Sequence, residues 1–181
     1  MNNCEFIGNN ANSGGGLFWH LYANNNILIG STFTDNTAAF GAGVYWMGNN
    51  GILSGSNFNN NAANSGGGGV YCIGNNISLI NSIFSNNHAI YNGGAVYWAV
   101  EGSLINCYFV NNKWINNNGK TNGIYAAKNL NINGGEGIVD IVPNETLSGI
   151  SIVVLNNETY YYPPNTNINF TKKNIKQDMI E

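Results

Sequence analysis

The sequence has little charge and very few basic residues. Of its 181 residues only 8% are charged, and the basic residues are six lysines with no arginine. With a net charge of −3, the chain lacks the basic surface that binds phosphates, which excludes a nucleic-acid-binding protein. No stretch reaches the roughly 20 apolar residues of a membrane-spanning helix, so membrane insertion is not expected. Residues 1–5 also lack the basic start and the apolar run of a signal peptide.

Helix-forming sequence is also scarce. The commonest residues are asparagine, with 39 copies, and glycine, with 24 copies, and both are poor helix formers. Between them lie short runs of β-branched, aliphatic and aromatic residues. Such runs, separated by Gly and Asn clusters, predict many short strands joined by turns.

The sequence repeats with a period of 25 to 27 residues. A Phe-x-x-Asn motif occurs five times, with the phenylalanines at Phe6, Phe33, Phe58, Phe84 and Phe109 and the asparagines at Asn9, Asn36, Asn61, Asn87 and Asn112. Each copy continues with a glycine-rich step and then an aliphatic and an aromatic residue, as in Gly41-Ala42-Gly43-Val44-Tyr45. A period near 26 with about three short strands is typical of one coil of a parallel β-helix, whose coils stack ~4.8 Å apart around one core.

We therefore predict an all-β fold, a parallel β-helix of about five coils of ~26 residues and a partial sixth coil. The β-helix repeat domain is expected at residues 1–137, and an end-capping strand, a β-hairpin and a linker tail at residues 138–181. Residues 130–132 are expected to open the sixth coil. The hairpin should join residues 150–155 to residues 158–162 through a two-residue Asn-Asn turn.

Equivalent residues of successive coils are expected to stack in columns. The Phe-x-x-Asn phenylalanines should form an interior stack, and its asparagines an amide ladder that bonds the turns of neighbouring coils. Two more interior columns are expected, formed by Leu17, Val44, Val70, Val96 and Ile124 and by Trp19, Trp46, Cys72, Trp98 and Ala126. The glycines before the aliphatic column suit a sharp bend that needs a positive φ or a close backbone approach; they are Gly16, Gly43, Gly69 and Gly123.

A column of aromatic residues follows the aliphatic column by one residue, so strand alternation directs it outward. It consists of Phe18, Tyr45, Tyr71, Tyr97 and Tyr125. This column is the candidate surface-binding ladder, because exposed rings can stack on sugar rings or pack against a partner. The alternative, which we favour, is that its cross-strand aromatic pairs stabilise the sheet by about 0.2–1 kcal/mol each without binding a ligand.

The alternating Phe-x-x-Asn and Gly-Gly-Ala-Val tetrapeptides, the latter complete at residues 93–96, resemble the repeat of polymorphic outer-membrane proteins. That repeat occurs in chlamydial autotransporter passengers and in adhesin-like surface proteins of methanogenic archaea. The resemblance covers roughly residues 1–126, and the asparagine content and lysine-only basic residues favour the archaeal branch. It implies a right-handed β-helix used for display and adhesion at the cell surface, with no catalytic motif to transfer.

The repeats contain few residues suited to catalysis or metal binding. Glu5, Asp35 and Glu101 are their only acids, and glycoside hydrolysis needs two carboxylates about 5–10 Å apart. His20 and His88 are isolated, without a second ligand at a metal-binding spacing. We therefore expect no catalytic residue, no metal site, no cofactor and no enzyme activity.

The three cysteines are expected to be free thiols in the core. Cys4 and Cys107 share one column but lie four coils apart, roughly 19 Å at the spacing of parallel strands. Two Cα atoms must lie within about 7 Å to be bridged by a disulfide, and Cys72 belongs to another column. The cysteines are therefore predicted to act as small core residues.

The expected function is that of a non-enzymatic, adhesin-like module attaching to a host, to other microbes or to surface glycans. Its partners would be a glycan or a host or microbial surface protein, with upstream coils or flanking domains of a longer parent chain, of which this chain is expected to be a fragment. The resemblance implies an extracellular or cell-surface location. Two alternatives stay open: a carbohydrate-active β-helix enzyme of the polysaccharide lyase or glycoside hydrolase type, and a passive structural spacer.

Overall fold

The computed structural model describes residues 1–115 and 124–125 in full. It also describes the backbone of residue 126 and of the strands at residues 130–133, 136–137, 139–143, 151–155, 158–162 and 168–170. Within these residues the chain forms strands and turns, and it contains no helix. The predicted all-β class is therefore confirmed.

Seventeen strands of two to five residues lie between residues 5 and 114. They are β1 (Glu5–Ile7), β2 (Leu17–Trp19), β3 (Ile27–Ile29), β4 (Thr32–Thr34), β5 (Thr37–Phe40), β6 (Val44–Trp46), β7 (Ile52–Ser54), β8 (Asn57–Asn59), β9 (Ala62–Gly66), β10 (Val70–Cys72), β11 (Ile77–Ile80), β12 (Ile83–Ser85), β13 (His88–Ala89), β14 (Val96–Trp98), β15 (Gly102–Ile105), β16 (Tyr108–Val110) and β17 (Lys113–Trp114). Seven strands follow: β18 (Ile124–Ala126), β19 (Leu130–Asn133), β20 (Glu136–Gly137), β21 (Val139–Pro143), β22 (Ser151–Leu155), β23 (Glu158–Tyr162) and β24 (Ile168–Phe170).

The strands stack in four sheets. The first sheet has the order β1-β4-β8-β12-β16-β20, and the shorter fourth sheet has the order β5-β9-β13-β17. The second sheet runs β2-β6-β10-β14-β18-β21-β24, and the third runs β3-β7-β11-β15-β19-β22-β23. Every neighbouring pair is parallel except β21 with β24 and β22 with β23. Non-consecutive strands paired in parallel, one from each coil, confirm the predicted parallel β-helix.

The register brings repeat-equivalent residues directly above one another. Phe33 pairs with Phe6 on one side and with Phe58 on the other, and the phenylalanine rings of the first sheet stack with centroids 4.6, 4.7, 4.8 and 5.0 Å apart. Phe33, Phe58 and Phe84 are fully buried. The interior phenylalanine stack is therefore as predicted. In the first coil, Phe6, Leu17 and Trp19 are only half-buried.

Four corners turn the coil, and each uses a residue in the left-handed region of φ. The four columns are Asn3, Gly30, Gly55, Asn81 and Asn106; Gly8, Asp35, Asn60, Asn86 and Asn111; Gly14, Gly41, Gly67 and Gly93; and Asn25, Asn50 and Asn76. Glycine adopts a positive φ without steric cost, and Asn and Asp adopt it more readily than other residues. The corners therefore account for nine of the asparagines and seven of the glycines.

Of the two reasons predicted for the glycines before the aliphatic column, close approach applies and a positive φ does not. The positive φ lies two residues earlier, as at Gly41, and not at Gly43. A Cβ atom on Gly43 would lie 2.5 Å from the carbonyl oxygen of Gly69 and 2.8 Å from the ring of Phe58. Close packing, the second reason given for these glycines, is thus the one that applies. Gly123 lies outside the described residues.

The interior contains a large cluster and a small one. The large cluster holds the phenylalanine, aliphatic and tryptophan columns. The small cluster consists of Ala38, Ala42, Ala63 and Ala89, where the fourth sheet packs against the glycine-rich step. A Cβ atom on Gly68 would lie 2.5 Å from the carbonyl oxygen of His88, so the two chain segments nearly touch. Alanine and glycine fill these columns because the fourth sheet lies so close to the glycine-rich step.

The C-terminal strands correct one assignment. β19 pairs with β15 in register, Ile132 opposite Leu104, so residues 130–132 close the fifth coil instead of opening the sixth. The sixth coil begins at β20, which pairs with β16. The predicted hairpin is present as β22 and β23, with Leu155 opposite Glu158. β24 was not anticipated, because its three residues carry too short an alternation to be distinguished from a polar tail.

Candidate functional site

The asparagine ladder is continuous from Asn9 to Asn112. At each step the backbone N–H and the side-chain Nδ2 of one asparagine both donate to Oδ1 of the asparagine in the next coil. For Asn36 and Asn61 these two distances are 3.1 and 2.9 Å. The four asparagines from Asn36 onward are buried, so the ladder satisfies amides that would be costly to bury unpaired. The predicted ladder is therefore present.

The side chain of each inner asparagine also donates to a backbone carbonyl of the preceding coil. Nδ2 of Asn61 donates to Oδ1 of Asn87 in the following coil and to the carbonyl oxygen of Phe33 in the preceding one, both at 2.9 Å. One side chain therefore connects three coils beside the phenylalanine stack.

The column of small residues before the first sheet forms a second ladder. The backbone N–H of Ser31 donates to Oγ of Ser56 at 3.1 Å, and that hydroxyl donates to the carbonyl oxygen of Ser54 at 3.2 Å. Ser56 makes the same contact with Ser82. The recurrence of serine at this position of successive repeats was the available sequence signal for this hydrogen bonding.

The aromatic column forms a stack along the second sheet. From Phe18 to Tyr125 successive ring centroids lie 5.3, 5.1, 4.2 and 4.9 Å apart, and the rings are within 12° of parallel. Tyr45 is half-buried between the fully buried Val44 and Trp46, which confirms the outward direction. Neighbouring rings stack on the inner tyrosines, which favours the structural alternative over face-on stacking of sugars at these positions.

Further contacts cover one side of this aromatic stack. Phe40, at the end of the fourth-sheet strand, packs edge-on against Tyr71 with the centroids 5.3 Å apart. A Cβ atom on Gly66 would lie 3.3 Å from the ring of Tyr71 and 3.4 Å from that of Tyr97. Burial, followed by the neighbouring phenol of Tyr97, raises the pKa of Tyr71 above its ordinary value. This packing supports the structural reading of the column.

An open groove of about 520 Å³ lies along the corner between the first and fourth sheets. Its lining residues are Asn60, Asn86, His88, Asn111, Lys113 and Ile115. The asparagines come from one corner column, and all three are exposed. His88 and Lys113 are paired neighbours on β13 and β17. The groove therefore combines three amides, an imidazole and an ammonium group on three successive coils.

This groove was not predicted from the sequence. The sequence predicts only that His88 is isolated, whereas in the structure it begins β13 and lines the groove. The available signal was the 25-residue separation of His88 and Lys113, one period of the repeat. Burial first, and then the positive charge of Lys113, lower the pKa of His88 below its ordinary value. The imidazole is therefore neutral at pH 7.

The acids among residues 1–115 lie apart from one another. Glu5 is on β1, Asp35 occupies a corner of the second coil, and Glu101 precedes β15 in the fourth coil. Asp35 accepts a hydrogen bond from Nδ2 of Asn60 at 2.6 Å. Among the described residues there is no group of three His, Cys, Asp or Glu side chains suited to a metal ion. The part of the chain that the structure describes also has no helix of the length and apolar character needed to cross a membrane.

The three cysteines are free thiols. Cys72 and Cys107 are buried, and Cys4 is half-buried. Burial raises the pKa of Cys72, and it raises that of Cys107 to about 11. Both buried thiols are consequently protonated at neutral pH.

A scan of protein-family models, a search of the curated proteins and a search of the solved structures each found no match to this chain.

Proposed function

We propose that the chain is a non-enzymatic, adhesin-like attachment module displayed at a cell surface, of the type that carries polymorphic outer-membrane protein repeats. The observation that supports this proposal is the outer surface of the coils. The groove presents three amides on successive coils, and neighbouring coils place equivalent groups about 4.8 Å apart. Regularly spaced amides suit a polymer whose hydroxyl groups recur along its length.

Rigidity of the stack favours the same function. The buried asparagine ladder and the serine ladder bond each coil to the next, in addition to the backbone bonds between strands. Because these side chains fix the coils relative to one another, the outer groups hold their spacing without a ligand. A preorganised surface loses less conformational entropy on binding.

The arrangement of the three acids among residues 1–115 argues against a hydrolase site in those coils. Glu5, Asp35 and Glu101 belong to the first, second and fourth coils and to different elements of the coil. Glycoside hydrolysis needs an acid and a second carboxylate across one bond. Asp35 is in addition bonded to the amide of Asn60. We therefore propose binding without cleavage.

A passive spacer is the second candidate, and the aromatic column favours it. The rings from Phe18 to Tyr125 stack on each other, as a purely structural column would. A spacer would need no groove with a cation and exposed amides. The groove is thus the feature that separates an attachment module from a spacer.

The test is adhesion of the whole 181-residue chain. Beads coated with the protein are scored for attachment to immobilised polysaccharides, mucin and microbial cells, and free protein is added as competitor. An attachment module gives saturable adhesion that the free protein inhibits, and it releases no reducing ends from the polysaccharides. Adhesion no greater than that of albumin-coated beads on every surface would support the spacer, and release of reducing ends would support the enzyme.

A further inference from the structure

We infer that the groove between the first and fourth sheets binds an acidic oligosaccharide, with Lys113 and His88 holding a sugar carboxylate and Asn60, Asn86 and Asn111 holding ring hydroxyls. This inference rests on the proposed attachment function and specifies its ligand class. The groove volume of about 520 Å³ is within the range of small-molecule sites, about 300–1,000 Å³. The three amides span two coil spacings, about 10 Å, which suits a short oligosaccharide.

The amide column suits sugar hydroxyls, which both donate and accept hydrogen bonds. An asparagine side chain carries two N–H donors and one carbonyl acceptor. Nδ2 of Asn60 already donates to Asp35, and Nδ2 of Asn86 donates to Oδ1 of Asn59 at 3.0 Å. These contacts orient the two amides. Each amide still has one N–H donor and its carbonyl oxygen available for a sugar hydroxyl. The exposed corner therefore offers both kinds of partner to a hydroxyl.

The charge distribution indicates where the carboxylate lies. Lys113 is exposed, and its ammonium group forms no ion pair or hydrogen bond with the residues that the structure describes. The acid of the same corner column, Asp35, is at the opposite end, in the second coil. An anionic sugar therefore places its carboxylate at the fifth coil, near the ammonium group of Lys113 and the imidazole of His88. Ile115 beside them provides an apolar wall for the C–H face of a sugar ring.

The geometry also predicts how binding depends on pH. His88 faces Lys113 on β17, while the neighbouring corner column carries the neutral Asn60, Asn86 and Asn111, with Asp35 in the coil before Asn60. A bound carboxylate counteracts the charge of Lys113, so it raises the pKa of His88. By linkage, the acidic sugar binds more tightly as the pH falls toward that pKa.

The experiment measures binding of trigalacturonate and its fully methyl-esterified form to the whole chain by calorimetry, with the His88 ring followed by NMR. Trigalacturonate should bind at least threefold more tightly than the ester and shift the His88 resonances. The variant K113Q should weaken trigalacturonate binding at least threefold and remove the preference for the acid, because a charge-assisted hydrogen bond is lost. Asn86→Gly removes an amide but still adopts the left-handed φ of the corner. This variant should weaken the binding of both trigalacturonate and its ester.

Asn75→Asp is the matched control. It changes the net charge by the same amount as K113Q, at an exposed turn between the second and third sheets, and it should alter either affinity less than twofold. Equal binding of the acid and the ester, an unmoved His88, or no binding of trigalacturonate would overturn the inference. Tighter binding of hexaglutamate than of trigalacturonate would overturn it in favour of an acidic peptide.

The bead assay separates this inference from the attachment function. Adhesion that persists in K113Q, without trigalacturonate binding to the native chain, overturns the groove assignment alone. Trigalacturonate binding by a chain that adheres to no surface overturns the attachment function alone.

Discussion

Gly102 lies against the indole ring of Trp98 so closely that a Cβ atom at position 102 would overlap the ring. Gly51 has the same relationship with Trp46. Between these two coils, Cys72 takes the tryptophan position. The fully buried Ile77 takes the glycine position there. A tryptophan on the second sheet is therefore paired with a glycine on or beside the third sheet. The smaller Cys72 is paired with the larger Ile77.

This exchange of volumes predicts a strong coupling between positions 72 and 77. Cys72→Trp alone should destabilise the fold by about 2 kcal/mol or more, because the ring would overlap Ile77. The double variant Cys72→Trp/Ile77→Gly should recover at least about 1 kcal/mol of that loss. Denaturant unfolding of the two single variants and the double variant checks this, and additive effects would show that the two side chains do not share one space.

The asparagine ladder predicts a large effect of Asn61→Ala. The substitution removes the acceptor for two N–H groups of Asn36 and leaves the carbonyl of Phe33 without that donor. At about 1–3 kcal/mol for each unpaired buried group, a loss of about 3 kcal/mol in unfolding free energy is expected. Asn64→Ala, at an exposed position of β9, should cost less than about 0.5 kcal/mol. Similar thermal melts for both variants would contradict a structural ladder.

The aromatic stack predicts that Tyr71→Ala impairs stability without affecting attachment. Tyr71 stacks on Tyr45 and Tyr97, and each aromatic pair contributes about 0.5–1.5 kcal/mol beyond its buried area. A loss of about 2 kcal/mol is expected, compared with about 0.5 kcal/mol or less for Tyr91→Ala at an exposed site. Bead adhesion should be unchanged at a temperature where the variant is folded. A folded Tyr71→Ala variant that no longer adheres would restore the aromatic column as a binding surface.

The thiols should react at different rates. The thiolate is the reactive form, and the raised pKa values of Cys72 and Cys107 keep both protonated, whereas Cys4 is half-buried. At pH 8 the native chain should expose one fast thiol to a disulfide reagent, identified by mass spectrometry as Cys4, and the chain in denaturant should expose three. Three equally fast thiols in the native chain would contradict the buried positions.

The raised thiol pKa values also predict whether the free energy of unfolding rises or falls at alkaline pH. A protonated thiol stabilises the fold fully below its unfolded pKa of about 9, and this contribution is lost as the pH rises through the folded value, about 11 for Cys107. Unfolding free energy should therefore fall above about pH 9. The decline should be shallower in Cys72→Ala, and an identical pH profile would show that the thiol of Cys72 ionises normally.

His88 should respond to the removal of its charged neighbour. Lys113→Gln should raise the pKa of His88 only partway toward its ordinary value, because burial is the larger cause of the lowering. NMR titration of the ring protons measures the change, with Glu101→Gln as a control in the fourth coil. A pKa of His88 that does not move in Lys113→Gln would mean that the two side chains are not neighbours in solution.

The sequence predicted the stacked columns because each one repeats the same residue type at a fixed period. Phenylalanine and asparagine recur at the positions of Phe33 and Asn36 in the first five coils, and in-register stacking follows from this recurrence. The Cys72 and Ile77 exchange was not predictable in the same way, because it departs from the repeat at two positions 5 residues apart that meet only across the core. The groove was missed for a related reason, since His88 and Lys113 replace Thr37 and Ala62 in one outward column.

The left-handed corners show which Asn and Gly residues are required by the local backbone conformation. Asn and Gly at positions such as Asn60 and Gly55 satisfy a backbone requirement, and their spacing could be read from the repeat. Which of the glycines in each glycine-rich step carries the positive φ depends on where the chain reverses against the fourth sheet. The positive φ is at Gly41 and not at Gly43.

The direction of the bonds between coils determines how the solenoid responds to tension. The backbone and ladder bonds run along the stacking axis, so a force that pulls the ends apart loads them one coil after another. A coil of about 26 residues occupies about 4.8 Å of the axis but spans about 90 Å when extended. Each coil that peels away thus lengthens the molecule roughly twentyfold over the axial length it occupied. Under load the protein would act as an extensible tether that absorbs mechanical work in successive steps.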